Sequence, residues 1–436
     1  MQVLVTDLPN TADTRLSFAQ LKKEAPSSFE LLSLARKLIA PHFSAAPKHI
    51  ALFAPGVAAD QIARLMDAMV AALAARAHPL PSFKSKPPKT PALKTVHLYG
   101  LPQRLDLSRT LAAAAGNNLA RELAVLPPNE LTPTRYRRRI TQLAREQGWK
   151  MEFLDTAVLK RKKAGAFLAV AQGSAERDAG IVHLTYQPRT RSRKKALALV
   201  GKGICFDTGG HNLKPARHMH GMHEDMGGSA VALGTLLALT RLKVNFPVHC
   251  WLALSQNMIG PKAYKQNDVV TAANGTTIEV THTDAEGRMV LADTLTFAAR
   301  AKPGLLIDYA TLTGACVYAL GTAYSGVFTN RPEWLTDLIQ AGVDSGERVW
   351  PFPTDEDYDK ELDSTIADIK QCTLGGEADH ILAARFLSRF VAGDVPWLHL
   401  DLSAATRKGG LAHVASDSTG FGVRYSLEFV LGKRAF

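Results

Sequence analysis

At 436 residues the chain exceeds the usual size of one domain, so two domains with sizeable cores are expected. A hydrophobic fraction of 46% and a charged fraction of 21% exclude a disordered chain. The formal net charge of +12 is high for a soluble enzyme and leaves nucleic-acid binding open as a class.

The opening MQVLVTDLPNTADTRLSF lacks a basic stretch followed by an uninterrupted apolar run and a small-residue cleavage site, so it does not read as a signal peptide. The most apolar early segment, Leu65 to Ala75, is too short to cross a bilayer. A cytoplasmic protein with no membrane partner is expected. Cys205, Cys250, Cys316 and Cys372 are widely spaced without a CxxC pair, which points to reduced, buried thiols and away from a disulfide framework or a thiolate zinc site.

VLVTDL and HIALFAP read as strands and Gln61 to Ala77 as an alanine-rich helix. The proline- and lysine-rich SFKSKPPKTPALK reads as a surface loop before a strand at Thr95 to Tyr99. This makes a small amino-terminal α/β domain, residues 1–105, without clustered acids. A connecting helix with Ser108 as its N-cap fills residues 106–126 and is stopped by Pro127-Pro128. The remainder, residues 127–436, is the candidate catalytic domain. A helix over Arg135 to Gln147 and a strand near Trp149 to Leu154 open it. Long apolar strands are expected at Gly165 to Gln172, Gly180 to Tyr186, Ala196 to Ile204, Phe246 to Leu254 and Gly304 to Ala310. Helices at Gly228 to Leu242 and Met289 to Ala301 alternate with them. Near-continuous apolar strands between helices imply α/β architecture with a mixed, mainly parallel central sheet flanked by helices. Ligands in such folds gather at the carboxyl ends of the strands.

Basic residues run together at Lys84, Lys86, Lys89 and Lys94, at Arg135 with Arg137 to Arg139, at Lys160 to Lys163, and at Arg189, Arg191 and Arg193 to Lys195. Such runs can bind phosphate backbones, and they can equally be solvated faces. Without aromatic interleaving or a DNA-binding motif, the second reading is favoured.

The chemistry centres on THTDAEGR, Thr281 to Arg288, where Asp284, Glu286 and Arg288 alternate. In an extended or tightly turned backbone they would point the same way. An Asn274-Gly275 turn between two short strands would aim them. Upstream, VGKGICFDTGGHNLKP adds Lys202, Asp207 and Lys214, and HEDMGG adds Asp225. Four carboxylates gathered at one face are tolerable only with cations between them, and two divalent ions would balance that charge. Near such ions Lys202 could become a neutral nitrogen ligand; the bland alternative is an ion pair with Asp207. Lys214 and Arg288 would stay cationic, suited to a developing oxyanion or a small bound anion.

The strings VGKGICFDTGGHNLKP, DMGG, TDAEGRMVLADTL and DYATLTGA resemble the leucyl aminopeptidase (cytosol aminopeptidase) family of two-metal peptidases, with NELTP, PWLHLDLS and STGFGVR extending the match over roughly the last 310 residues. The resemblance implies one metal held by Lys202, Asp207, Asp225 and Glu286. The other would be held by Asp207, Asp284 and Glu286 with the Asp284 carbonyl. It implies Lys214 as the electrophile and Arg288 as the holder of a bicarbonate general base. Met222, Thr311, Leu312, Gly314, Ser403 and Thr406 would bind substrate, a peptide with a free amino terminus and a leucine-like first residue. Zinc or manganese, or else magnesium or cobalt, would be the metal. A homo-hexamer is also implied. The competing class is a nucleic-acid-binding protein using the basic runs, with peptidase activity secondary.

Departures from the family pattern stand at His211, at His282, in the crowd of His218, His220 and His223, and at Glu377, Asp379 and His380 within LGGEADHILAARFL. The histidines are read first as hydrogen-bonding neighbours of the metal site. The acidic departure puts subunit contacts or pocket shape in question.

Overall fold

A computed structural model describes residues 2–21, 25–87, 93–101, 104–190, 194–391 and 393–432. Lys89, Arg191 and Arg193 of the basic runs lie outside these residues. The amino-terminal region holds an antiparallel pair, Leu4–Asp7 with Arg15–Phe18, and a parallel pair, His49–Phe53 with Thr95–Tyr99. Its helices are Ser28–Ile39 and Ala59–Ala77. Ser27 and Glu30 cap the first by exchanging side-chain and backbone hydrogen bonds, which satisfies donors that a helix start leaves open. Leu31, Leu32, Ile39, Met66 and Leu73 form a core that also takes in Ala412 from the far end of the chain. Arg36 further ties the region down by donating to the carbonyls of Gly409 and Val414.

The helix Ser108–Ala124 lies where the sequence places a connector, but Ser108 is its first residue and not its cap. The Asp106 carboxylate accepts the Ser108 backbone N–H at 2.9 Å and does that work. Further along, Gly116 faces Gly234 of the helix Gly227–Arg241 so closely that a Cβ on either would strike the other's carbonyl. The connector therefore packs as part of the helical layer over the sheet.

Eight strands make the central sheet, in spatial order Val349–Pro351, Ser325–Thr329, Trp397–Asp401, Leu305–Ala310, Leu197–Asp207, Val248–Asn257, Gly180–Tyr186 and Lys150–Asp155. Trp397–Asp401, Leu305–Ala310, Leu197–Asp207 and Val248–Asn257 run parallel. The strand Gly180–Tyr186 pairs antiparallel with both of its neighbours, giving a mixed sheet. Period-two alternation sends Leu197 and Leu199 into one core, with the helices Ser108–Ala124, Gly227–Arg241 and Val423–Leu431. Ala198 and Val200 go into the other, beneath Glu286–Ala299 and Asp379–Ser388. A strand so sandwiched has to be apolar on both sides, which is why these runs are continuous.

One such run is not a strand. Gly165–Ala171 forms a buried helix, although its sequence reads as a β segment. Short, fully apolar runs carry no periodicity that separates the two states. The Asp293 carboxylate, far along the chain, accepts the Phe167 backbone N–H at 2.8 Å and that of Ala273 at 2.6 Å. Among the described residues no helix is long and apolar enough to cross a membrane.

Candidate metal centre and active site

The four parallel strands end at one edge, and the acids collect there. Asp207 closes the strand Leu197–Asp207 just after an irregularity in its pairing, beyond Ile204. Asp225 sits in the 3-10 turn Met222–Met226 that leads into the helix Gly227–Arg241. The hairpin Val269–Thr271 and Thr277–Glu279 turns through Gly275, whose φ of 98° suits glycine, and feeds the stretch 281–288. That stretch is not extended. Asp284 lies in a turn, while Glu286 is the first residue of the helix Glu286–Ala299 and Arg288 lies in its first turn. A helix start is electrostatically favourable for an acid, and the turn before it brings Asp284 alongside.

One oxygen each from Asp207, Asp284 and Glu286 lies within 4.8 Å of the others. Two loops are locked together to hold them. Asn257 donates its side-chain amide to Asp207 at 2.8 Å and to the Thr283 carbonyl at 3.0 Å. Tyr264 donates its hydroxyl to the same carbonyl at 2.6 Å, and Thr283 donates to the Gly209 carbonyl at 2.7 Å. On the other side, the Thr311 hydroxyl donates to Asp225 at 2.8 Å. Asn257, Tyr264 and Thr283 escape sequence reasoning because none carries charge; their signal is nearness to a strand end or to Asp284.

Lys202 lies buried between Asp225 at 2.7 Å and Glu286 at 2.9 Å. It does not pair with Asp207. Lys214 takes that partner at 2.9 Å and also Asp284 at 2.5 Å. Burial opposes the charge on both lysines, but the surrounding carboxylates outweigh it and raise both pKa values above the ordinary amine range. Burial is likewise the main cause that pushes Asp284 up to about 7, with repulsion from Asp207 and Glu286 adding to it and Lys214 opposing it. Asp225 is raised for the same leading reason.

Two ammoniums against four carboxylates leave a formal excess of two negative charges, and the raised Asp284 and Asp225 register that excess. The second oxygens of Asp225 and Glu286 are buried without a hydrogen-bond partner, a costly condition that a cation relieves. Oxygen-rich donors with free lone pairs fit divalent ions.

Arg288, 2% exposed, donates to the Gln371 carbonyl at 3.0 Å and to the Asp379 carboxylate at 2.7 Å. Burial works against its charge, yet Asp379 and, at a distance, Glu286 hold its pKa up. Here the acidic departure meets the site. The Nδ1 atom of His282 accepts the Asp284 N–H at 3.3 Å, and His211 contacts the Tyr264 carbonyl at 2.9 Å, so both act as hydrogen-bonding neighbours.

A cleft of about 610 Å³ opens beside Arg288's partner, between the helix Gly314–Leu320 and the loop ahead of Asp379–Ser388. Gly314, Tyr318, Asp379 and His380 line it. Of the other expected substrate-binding residues, Met222, Thr311 and Leu312 are half-buried near the acids' own elements. Ser403 is buried and donates to the Tyr324 carbonyl at 2.8 Å, while exposed Thr406 donates to Glu224 at 2.6 Å. In the basic run at 135–139, Arg135 pairs with Glu130 at 2.6 Å and Arg137 stacks over Phe153 at 4.3 Å. These are structural partnerships of a folded face.

A carboxylate and lysine cradle at the carboxyl edge of a mainly parallel sheet fits a divalent metal centre in an enzyme of the α/β class. Residues 118–427 match the catalytic domain of the cytosol aminopeptidase family, and the chain belongs to that family. It is 40% identical over 354 residues to a probable cytosol aminopeptidase of Synechococcus sp. (strain WH7803), covering 80% of this chain and 71% of the relative. It is 43% identical over 311 residues to one from Rhodopseudomonas palustris (strain BisA53), covering 71% and 61%. A solved tomato leucine aminopeptidase variant superimposes with a TM-score of 0.87 at 32% identity, covering 99% of this chain and 83% of that one. Metal-dependent aminopeptidase activity follows from the family, and none of these relatives points to nucleic-acid binding.

Proposed function

We propose that this chain removes the first residue, preferably apolar and leucine-like, from peptides with a free amino terminus. The observation that carries the reading is the cluster of buried Asp207 and Glu286 with half-buried Asp284, and with Asp225 reached through Lys202. Lys202, Asp207, Asp225 and Glu286 would hold one divalent ion; Asp207, Asp284 and Glu286, with the Asp284 carbonyl, would hold the other. When bound, zinc or manganese, or else magnesium or cobalt, lowers the pKa of a water towards neutrality and polarises the scissile carbonyl. Once ions take over its carboxylate partners, Lys202 can serve as an amine ligand and Lys214 is free to turn its ammonium to the developing oxyanion. Arg288 would keep an anionic general base beside the reaction. Bicarbonate, the base that family resemblance implies, would have to compete with Asp379 for that guanidinium.

The cleft at Gly314 and Tyr318 supports a pocket for an apolar side chain; the family resemblance adds Met222, Thr311, Leu312, Ser403 and Thr406 as substrate-binding residues. We assign residues 1–105 to an amino-terminal domain, 106–126 to the linking helix and 127–436 to the catalytic domain. A cytoplasmic homo-hexamer completes the reading, and sedimentation of the purified protein tests the assembly. For the activity, metal-replete protein should hydrolyse leucine and methionine anilides and dipeptides, lose this on chelation and regain it with metal. No turnover on any unblocked peptide would overturn the proposal.

A further inference from the structure

We propose that the Asp379 carboxylate occupies the anion position at Arg288 and serves as a built-in general base, in place of a dissociable anion such as bicarbonate. The inference rests on the aminopeptidase reading above.

Three observations carry it. First, the buried guanidinium donates through one terminal nitrogen to the Gln371 carbonyl at 3.0 Å and through the other to Asp379 at 2.7 Å, leaving only its Nε without a hydrogen-bond partner. A second anion there would face a carboxylate of like charge with a single arginine for both, so it has to compete with Asp379. A tethered carboxylate is hard to displace, because its effective concentration is set by the fold and not by solution. Second, Asp379 is not sealed away with its partner. Its side chain keeps 24% exposure where that of Arg288 keeps 3%, and it lines the cleft that also contains Gly314. Third, the backbone is committed to this placement. Asp379 opens the helix Asp379–Ser388 behind Ala378, whose φ of 51° is a left-handed conformation unfavourable for alanine. Such strain persists where the surroundings over-determine it. The connection to the metal cradle runs through His282, whose ring accepts the Asp284 N–H at 3.3 Å and whose own backbone N–H donates to the side chain of Gln371, the residue whose carbonyl Arg288 also contacts, at 3.3 Å.

In the step this implies, Asp379 takes a proton from the attacking water as the water oxygen bonds to the scissile carbonyl carbon. It returns that proton to the peptide nitrogen as the C–N bond breaks. The products are a free amino acid and a peptide shortened by one residue, with no net proton gained by Asp379.

The test uses the metal-replete full chain and the variants Asp379→Ala and Asp379→Asn, with three readouts: metal content, binding of 13C-labelled bicarbonate by NMR, and leucine-anilide turnover in carbon-dioxide-depleted buffer with and without added bicarbonate. The wild type should bind no bicarbonate and change less than about 2-fold on its addition. Asp379→Ala should keep its metals, lose about 10²-fold in kcat, bind the labelled anion and recover about 10-fold with it. Asp379→Asn should be slow with little rescue, since the amide fills the space; it carries the test should the alanine variant fail to fold. Bicarbonate bound or stimulating in the wild type overturns the inference, as does wild-type kcat in either variant. Should the wild type cleave no peptide, the aminopeptidase reading fails on its own. The labelled anion then still decides which group holds Arg288.

Discussion

Two regions a few residues apart on the same helix solve opposite electrostatic problems. The cradle around Glu286 has four carboxylates against Lys202 and Lys214, an excess of negative charge that invites cations. The pocket around Arg288 pairs one guanidinium with Asp379 and is formally neutral. The first is built to be completed from outside; the second already holds its own counter-charge, with only the Arg288 Nε left unpartnered. Charge balance inside the fold thus separates what the protein must acquire from what it supplies itself.

The sharpest way to break this contrast is Glu286→Gln, which removes a charge shared by both proposed ions. We expect metal content to collapse and turnover to fall by more than about 10³-fold, read by elemental analysis and anilide hydrolysis. Full metal retention would mean that the cradle is not the metal centre. Lys214→Ala should keep both ions and lose about 10²- to 10³-fold in kcat, the usual cost of an oxyanion partner. Metal loss equal to that of Glu286→Gln would contradict the division of roles. Asp293 lies on the helix that carries both regions and holds the helix Gly165–Ala171 to it through two backbone N–H groups. Asp293→Asn turns an amide donor towards those donors and should destabilise the protein by about 2 kcal/mol in urea denaturation at fixed metal. Burial lifts the Asp293 carboxyl to about 6. Because the folded value exceeds the unfolded one, its favourable contribution is complete below about pH 4 and is lost as pH rises through about 6. The deficit of the asparagine variant should therefore shrink, on the order of 1 kcal/mol, between pH 5 and 7.5. The smallest effect is assigned to His282→Asn: unchanged metal content, and a shift of less than about 10-fold in the ratio of kcat/KM for leucine over methionine substrates.

Five of the eight central strands are legible because burial on both faces leaves an apolar run, as at Leu197–Asp207 and Leu305–Ala310, whereas Ser325–Thr329, Val349–Pro351 and Trp397–Asp401 escape that reading. The same run at Gly165–Ala171 misleads, since its helical state is fixed by Asp293, a partner more than a hundred residues away. The acids of the cradle could be named from sequence because charge in an apolar context is conspicuous. Their pairing could not: an ion pair of Lys202 with Asp207 is the alternative the sequence offers, and the lysine sits instead with Asp225 and Glu286. The 377–380 departure was visible as an oddity, but only the fold brings Asp379 to Arg288.

Gly287 stands between the two regions, and a methyl group there would press on the buried end of Lys202, with the Cε at 2.6 Å and the Nζ at 2.8 Å. That end is held by two carboxylates and has no free direction in which to retreat. Position 287 is thus a silent partner of position 202. A saturation library at this chemically blank residue should return the same phenotype as mutating the lysine, and evolutionary drift at one is constrained by the other.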